Sequence, residues 1–360
     1  MDKTKLKLNI AIIAFTLYNL IVFLLKGCTR KSYFYASVFM NFTEINNNGL
    51  VEGFAVIKQC DKKMAKNGNA YLDLVLSDKD GEIFAKLWDY NEVSHGKYEN
   101  DMFIKVRGVI SQYNGHDQLR IERIRTVVES DNVDVADYVK SADYTGEEMY
   151  GFLVKTVNAF KDEDLKKIVT YLLENNKDKI LYFPAAFRLH HAIRCGLLMH
   201  TSSIVKLCES ICKVYPFVNR ELLISGAILH DIAKTVEFDV KDTGIASGYT
   251  VEGNLLGHLV MGAMMIKEAG EKLGIDSEKS MLLQHMVLSH HGEPDFGAAV
   301  RPLFLEAELL SQLDLMDARV YEIMDAVSGI NKGEFTNRLW ALEDRKFYKY
   351  NDATLKVDIL

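Results

Sequence analysis

LLISGAILHDIAKTVEF, residues 222–238, is the stretch on which the reading turns. Its apolar spacing is helical and dense enough to be buried, yet His230-Asp231 interrupts it with two ionisable groups. A desolvated carboxylate is costly without a positive partner. A divalent cation would supply one, and ligands for it are at hand. Eight of the ten histidines (His190, His191, His200, His230, His258, His285, His290 and His291) fall between residues 190 and 291. Any one of them alone reads as a hydrogen-bonded core or surface residue. Their crowding asks for a chemical explanation.

Outward from this stretch the helical period holds from about residue 146 to 328, in runs such as MYGFLVKTVNAF (149–160) and AELLSQLDLMDARVYEIM (307–324). An all-α domain over 146–330 is expected, with a tail at 331–360. Upstream the period changes. Leu72, Leu74 and Leu76 alternate along YLDLVLSD, Asp80-Gly81 makes a turn, and Ile83, Ala85 and Leu87 alternate along EIFAKLWD. Met102, Ile104, Val106 and Ile110 continue in a fourth strand, and Asn114-Gly115 leads into a fifth, QLRIERIRTV. Five strands within 40–130 predict a small OB-type β-barrel, joined to the helices by the polar, acidic segment 131–145. The expected architecture is therefore multidomain α and β.

Residues 8–25 are an uncharged run of 18, the lower limit for a membrane-spanning helix. Lysines and arginines flank both of its ends, so charge gives no orientation. Two readings of 1–39 stand: a membrane anchor, or a segment preceding a natural start at Met40. The chain carries −7 overall, and residues 1–39 hold six basic side chains and one acidic, so the remainder is the more acidic part. There is no chain-wide basic field, and a polyanion must be held by local patches or by metal. Five cysteines without a C-x-x-C pair point to a reducing compartment, and Cys208 and Cys212 read as packed core.

His200, His230-Asp231 and Asp314 resemble the H…HD…D signature of the HD-domain metal phosphohydrolases. His258 in GNLLGHLVMG and His290-His291 in VLSHHGEPDFG look like the enlarged set of HD proteins that hold a second metal. A barrel followed by this domain, with EGNLLGH, LSHHG and RKFYK, is similar to the YhaM-type 3′-to-5′ exoribonucleases from about Gly49 to Tyr350. The resemblance implies that His200, His230, Asp231 and Asp314 hold a first divalent ion, most readily Mn²⁺. His258, His290 and His291 would then hold a second, with Asp231 bridging, and one of the His290-His291 pair could instead face the phosphate. Mixed imidazole and carboxylate ligands suit such ions, which activate water for phosphodiester hydrolysis. Asp231 and Lys234 are the expected catalytic residues, Lys234 neutralising a phosphate oxygen. His190 and His191 are open between touching RNA and capping structure, His285 is placed near the site, and Asp317 is expected to orient a ligand or pair with a lysine.

On the barrel, Phe84, Lys86 and Trp88 should point outward together, with Lys105 and Arg107 projecting similarly. Stacked bases over a phosphate track fit this face, whereas packing of the aromatics against the helical domain is the competing use. The expected activity is metal-dependent 3′-to-5′ exoribonuclease action in the cytoplasm on single-stranded RNA, and on single-stranded DNA, by a monomer or homo-oligomer. The membrane becomes a partner only if residues 8–25 anchor the chain. The alternatives are an HD phosphohydrolase of small nucleotides or cyclic dinucleotides, and a nucleic-acid-binding protein with a structural HD domain. Against the first, HHGEPDFG lacks a G-Y-P element and leaves the barrel without a task. Against the second, every expected ligand type is present.

Overall fold

The computed structural model describes residues 50–360 except 80, 114, 188–189 and 354–355. The apolar run 8–25 and the Met40 start lie outside the described residues, as do Asp80 and Asn114 of the two expected turns. No helix among the described residues is long and apolar enough to cross a membrane.

Five strands, β1 (Leu50–Met64), β2 (Ala70–Ser77), β3 (Glu82–Leu87), β4 (Phe103–Tyr113) and β5 (His116–Thr126), close into an OB-type barrel in the order β1-β2-β3-β5-β4. The alternation read from the sequence fills it. Leu72, Leu74, Leu76, Ile83, Ala85, Leu87, Ile104, Val106 and Ile110 are all buried there. Closure removes the exposed edges that an open five-stranded sheet would leave. It does so through a parallel pairing of β3 with β5, Phe84 opposite Gln118 and Lys86 opposite Arg120. That pairing puts β5 between β3 and β4, so the outward residues of β3 do not lie beside those of β4.

The segment 131–145 is packed. Val139 is buried, and the Tyr138 ring sits 5.2 Å from that of Phe103 and 5.9 Å from that of Phe54 on the barrel.

The helical half contains α1 (Gly146–Asn158), α2 (Glu163–Asn175), α3 (Gly196–Val214), α4 (Arg220–Leu229), α5 (Val251–Leu273), α6 (Ser277–Ser289) and α7 (Leu305–Ser328), with a two-stranded hairpin, β6 (Phe238–Val240) and β7 (Ala246–Tyr249), between α4 and α5. Short polar side chains start the helices where the apolar period begins. Thr145 and Glu148 form a capping box on α1, and Asp162, Asn219, Thr250 and Asp276 cap α2, α4, α5 and α6. One core joins them, with Leu153, Ile168, Leu198, Leu223, Ile266, Leu283 and Leu310 fully or almost fully buried. Cys208 belongs to it and Cys212 packs against it, as expected of the pair.

Candidate metal centre and nucleic-acid face

The long apolar run carrying His230-Asp231 does not stay helical through the doublet. α4 ends at Leu229, His230 occupies its C-cap, and a single helical turn resumes at Lys234. The two side chains therefore stand at a break between helices, where they turn toward the other histidines instead of into a packed helix face. α3 brings His200, α5 His258, the end of α6 His290 and His291, and α7 Asp314. His200, His230, Asp231 and His290 are all buried.

Four imidazoles are set in one sense by their Nδ1 partners. His200 Nδ1 donates to Asp317 Oδ2 at 2.8 Å, His230 Nδ1 to the Ala227 carbonyl at 2.8 Å, His258 Nδ1 to Glu237 Oε1 at 3.0 Å and His290 Nδ1 to the Val287 carbonyl at 2.8 Å. An acceptor at each Nδ1 holds the proton there and turns the Nε2 lone pair inward. The Nε2 atoms gather around two carboxylates. Asp231 Oδ2 lies 3.3 Å from His230 Nε2 and 3.7 Å from His200 Nε2. The other oxygen, Oδ1, lies 3.5 Å from His258 Nε2 and 3.6 Å from His290 Nε2. Asp314 Oδ1 approaches His200 Nε2 at 3.0 Å and His230 Nε2 at 3.9 Å.

This donor set fits divalent cations on the chain's own geometry. Asp231 Oδ1, His258 Nε2 and His291 Nδ1 are buried side-chain atoms without a hydrogen-bond partner, which is costly unless a ligand satisfies them. His200 and His230 bring Nε2 atoms to 3.2 Å, two lone pairs face to face unless a cation or proton sits between them. The electrostatics agree. Until a cation binds, burial opposes charge on His200, but its bonds to Asp314 and Asp317 prevail and push its pKa up to about 10, so that a proton takes the place a metal ion would fill. Burial likewise works against ionised Asp231 and Asp314, yet Lys234 and His230 hold the first well below the usual carboxylate range, and His200 holds the second. The centre draws positive charge to itself. Two of the groupings able to hold an ion are His200, His230 and Asp231, and His258, His290 and His291.

The surroundings correct and extend the expected site. Lys234 lies in the centre with its Nζ 2.6 Å from Asp231 Oδ2. Asp317 orients His200 and also accepts from His191 Nε2 at 2.9 Å, so its partners are histidines and not a lysine. His191 adopts φ +56 and packs against Tyr321, with ring centroids 4.0 Å apart. His190 and His191 lie in the turn before α3, and the half-buried His190 ring is 5.7 Å from that of His200; burial pushes the His190 pKa down to about 3. His285 does not join the centre. Its Nε2 accepts from the Leu303 N–H at 3.0 Å and its ring packs 5.4 Å from Phe304, because five residues along a helix turn it away from His290. Glu237, which sequence reasoning overlooked, is buried and holds His258 through two bonds.

On the barrel, Phe84 and Trp88 are 56% and 43% exposed, as their alternation requires. Trp88 stacks on Tyr71 with centroids 4.7 Å apart, and Lys86 lies over both rings, 4.9 Å from Tyr71 and 5.5 Å from Trp88. Tyr71 and Arg120, the β5 neighbour of Lys86, were not foreseen in this face. Lys105 stands apart from it, over Phe54 at 5.2 Å and 3.3 Å from Glu52, and Arg107 pairs in register with Glu52 on one side and Arg123 on the other. Acidic neighbours partly neutralise the lysines: Lys63 lies 2.6 Å and Lys86 3.5 Å from Asp73, and Lys58 pairs with Glu82.

The HD domain family matches residues 197–319. Among curated proteins, the 3′-5′ exoribonuclease YhaM of Geobacillus sp. (strain WCH70) is 39% identical over 299 residues, 83% of this chain and 91% of that protein. The 3′-5′ exoribonuclease YhaM of Bacillus subtilis (strain 168) is 36% identical over 299 residues, covering 83% and 94%. Among solved structures, the second OB-fold domain of replication protein A from Methanococcus maripaludis is similar over 24% of this chain and 90% of that one, at 20% identity and a TM-score of 0.20.

Proposed function

The chain belongs to the YhaM family of 3′-5′ exoribonucleases, and from that premise we propose that it removes nucleotides from the 3′ end of single-stranded RNA, and of single-stranded DNA, at a divalent-metal centre built on Asp231. The observation that carries the metal reading is the division of labour within that one carboxylate. Its Oδ2 faces His200 and His230, and its Oδ1 faces His258 and His290. His200, His230, Asp231 and Asp314 would hold one ion. His258, His290 and His291 would hold a second, with Asp231 shared between the two. Manganese suits this mixture of imidazole and carboxylate. When bound, the ions supply an activated water and neutralise charge on the scissile phosphate.

The protein's own groups prepare that chemistry. The acceptors at Nδ1 fix each ring before substrate arrives, so reaction costs little reorganisation. Lys234 keeps a cation beside Asp231, within reach of a phosphate oxygen entering the centre. Phe84, Trp88 and Tyr71 offer ring faces to bases and Lys86 offers charge to the backbone, a combination that grips RNA without regard to sequence, while Lys105 and Arg107 on β4 lie apart from that face. The four described cysteines are unpaired, which supports a reducing, cytoplasmic setting.

The test is incubation of the purified chain with 3′- and 5′-labelled single-stranded RNA, with and without Mn²⁺ and EDTA. Stepwise loss from the 3′ end that EDTA abolishes is expected. Asp231→Ala should lose cleavage while keeping RNA affinity, and full activity in that variant would remove the assignment.

A further inference from the structure

The segment after α7 folds back on itself. Gly333 and Thr336 donate backbone hydrogen bonds to Lys349 and Phe347, Leu339 donates to Arg345, and Phe335 and Tyr348 pair in antiparallel register. The resulting hairpin has two unlike faces. Thr336 is buried, and Phe347 and Lys349 are half-buried on the same side, with Lys349 Nζ bound to the Ile330 carbonyl at 2.7 Å. The opposite face carries Phe335, Tyr348 and Tyr350, respectively 61%, 50% and 72% exposed, with Lys346 exposed among them. The Phe335 and Tyr348 rings lie 4.9 Å apart. No carboxylate among the described residues pairs with Lys346.

We propose that this outer face, Phe335, Lys346, Tyr348 and Tyr350, is a second binding surface for single-stranded RNA, separate from the barrel. The proposal rests on the exoribonuclease reading and extends it to the strand upstream of the 3′ end. Two features select RNA as the occupant. Exposure alternates along residues 346–350, setting Lys346, Tyr348 and Tyr350 on one face beside Phe335, a cation for a backbone phosphate next to ring faces for bases. The chain as a whole is acidic, so an unneutralised lysine among exposed rings is a local attraction for a polyanion. The position is apt as well. Glu343, in the hairpin's turn, pairs with Arg319 at 2.6 Å, and Arg319 follows Asp314 by five residues on α7, about 8 Å along the helix axis. The hairpin is thus anchored to the helix that supplies the metal centre with Asp314 and Asp317.

Binding of a fluorescent 20-nucleotide RNA to the full chain, measured by anisotropy in EDTA so that the RNA stays intact, tests this. Tyr348→Ala should weaken binding about tenfold, Tyr348→Phe should restore it, and Lys346→Ala should reduce the slope of log affinity against log salt by about 0.7. With metal present, the ratio of kcat/KM for the 20-mer to that for a trinucleotide should fall about tenfold in Tyr348→Ala. Affinity and ratio within twofold of the parent protein would overturn the proposal. So would a lower mass in sedimentation with RNA affinity unchanged, which would make the face a contact between copies of the chain. If the parent protein degraded no RNA, the nuclease reading would fail, and the anisotropy measurement would still judge the hairpin.

Discussion

Glu237 holds His258 twice, accepting hydrogen bonds from its backbone N–H and from its ring Nδ1, each at 3.0 Å. The first bond exists because α5 is broken immediately before His258. Gly257 has φ +69 and ψ 160, a conformation essentially confined to glycine, and the break frees the His258 N–H from the helix ladder. Gly253 completes the arrangement, since a Cβ there would stand 2.2 Å from the Glu237 carbonyl oxygen. The two glycines of EGNLLGH thus serve one carboxylate and, through it, one imidazole. Glu237→Ala is expected to weaken binding at the His258 side of the centre by about 10- to 100-fold, with Glu237→Gln restoring part of it. Calorimetric titration with Mn²⁺ checks this, and two unaltered binding events in Glu237→Ala would remove the positioning role.

Asp317 is the counterpart on the other side, joining His200 and His191 through one oxygen. Its carboxyl is held below the usual range: burial opposes ionisation, but the bonds from His191 and His200 prevail. Asp317→Asn keeps an acceptor in place but removes the charge that His200 answers. Its kcat on RNA should fall about 10- to 100-fold with KM little changed, because the proposed RNA contacts lie elsewhere. Asp317→Ala should in addition lower unfolding stability by about 2 kcal/mol, since it leaves two buried ring N–H groups without acceptors. Urea denaturation reads the second effect, and steady-state kinetics the first.

What the sequence disclosed and what it hid follow from the range of the forces concerned. The barrel strands were legible because the two-residue period records which face is buried, and Leu72 to Leu76 and Ile83 to Leu87 record it without interruption. The parallel β3–β5 pairing left no local trace, so Lys105 and Arg107 could not be told apart from the Phe84 face. The clustering of histidines and acids marked the centre itself. Glu237 escaped because its importance comes from the break at Gly257, twenty residues on. His285 misled in the opposite way: it is close in sequence to His290, but the helical turn carries its ring to Leu303 and Phe304.

Asp162 gives a pH dependence whose sign can be worked out. It caps α2 through the N–H groups of Asp164 and Leu165, each at 3.1 Å, and accepts from Lys279 Nζ at 2.8 Å. Burial resists its charge, but Lys279 and the Leu165 N–H outweigh burial and lower its pKa in the folded protein. A lowered folded pKa means stability that is present above the unfolded value of about 4 and lost as pH falls through the folded one. Asp162→Asn retains the cap while removing the charge. It should cost about 0.5–1 kcal/mol at pH 7, discounted for its partial exposure, and almost nothing near pH 2. Urea midpoints at the two pH values check this, and an equal loss at both would show that the ion pair contributes nothing.

Trp88 is where grip and chemistry should separate. Its ring is stacked on Tyr71 and covered on one side by Lys86, so one broad face is already ordered before RNA arrives and little side-chain entropy remains to be lost on binding. A base stacked on such a platform contributes roughly 1–3 kcal/mol. Trp88→Ala should therefore raise the Kd for a 20-nucleotide RNA by about tenfold or more, and Trp88→Phe by less, because a smaller ring preserves the stack with Tyr71. Hydrolysis of a trinucleotide, which has few bases to stack, should be affected far less than hydrolysis of the 20-mer. Filter binding and single-turnover cleavage of the two substrates measure the contrast. Equal losses on both lengths would mean that Trp88 acts on the fold of the barrel and not on the strand.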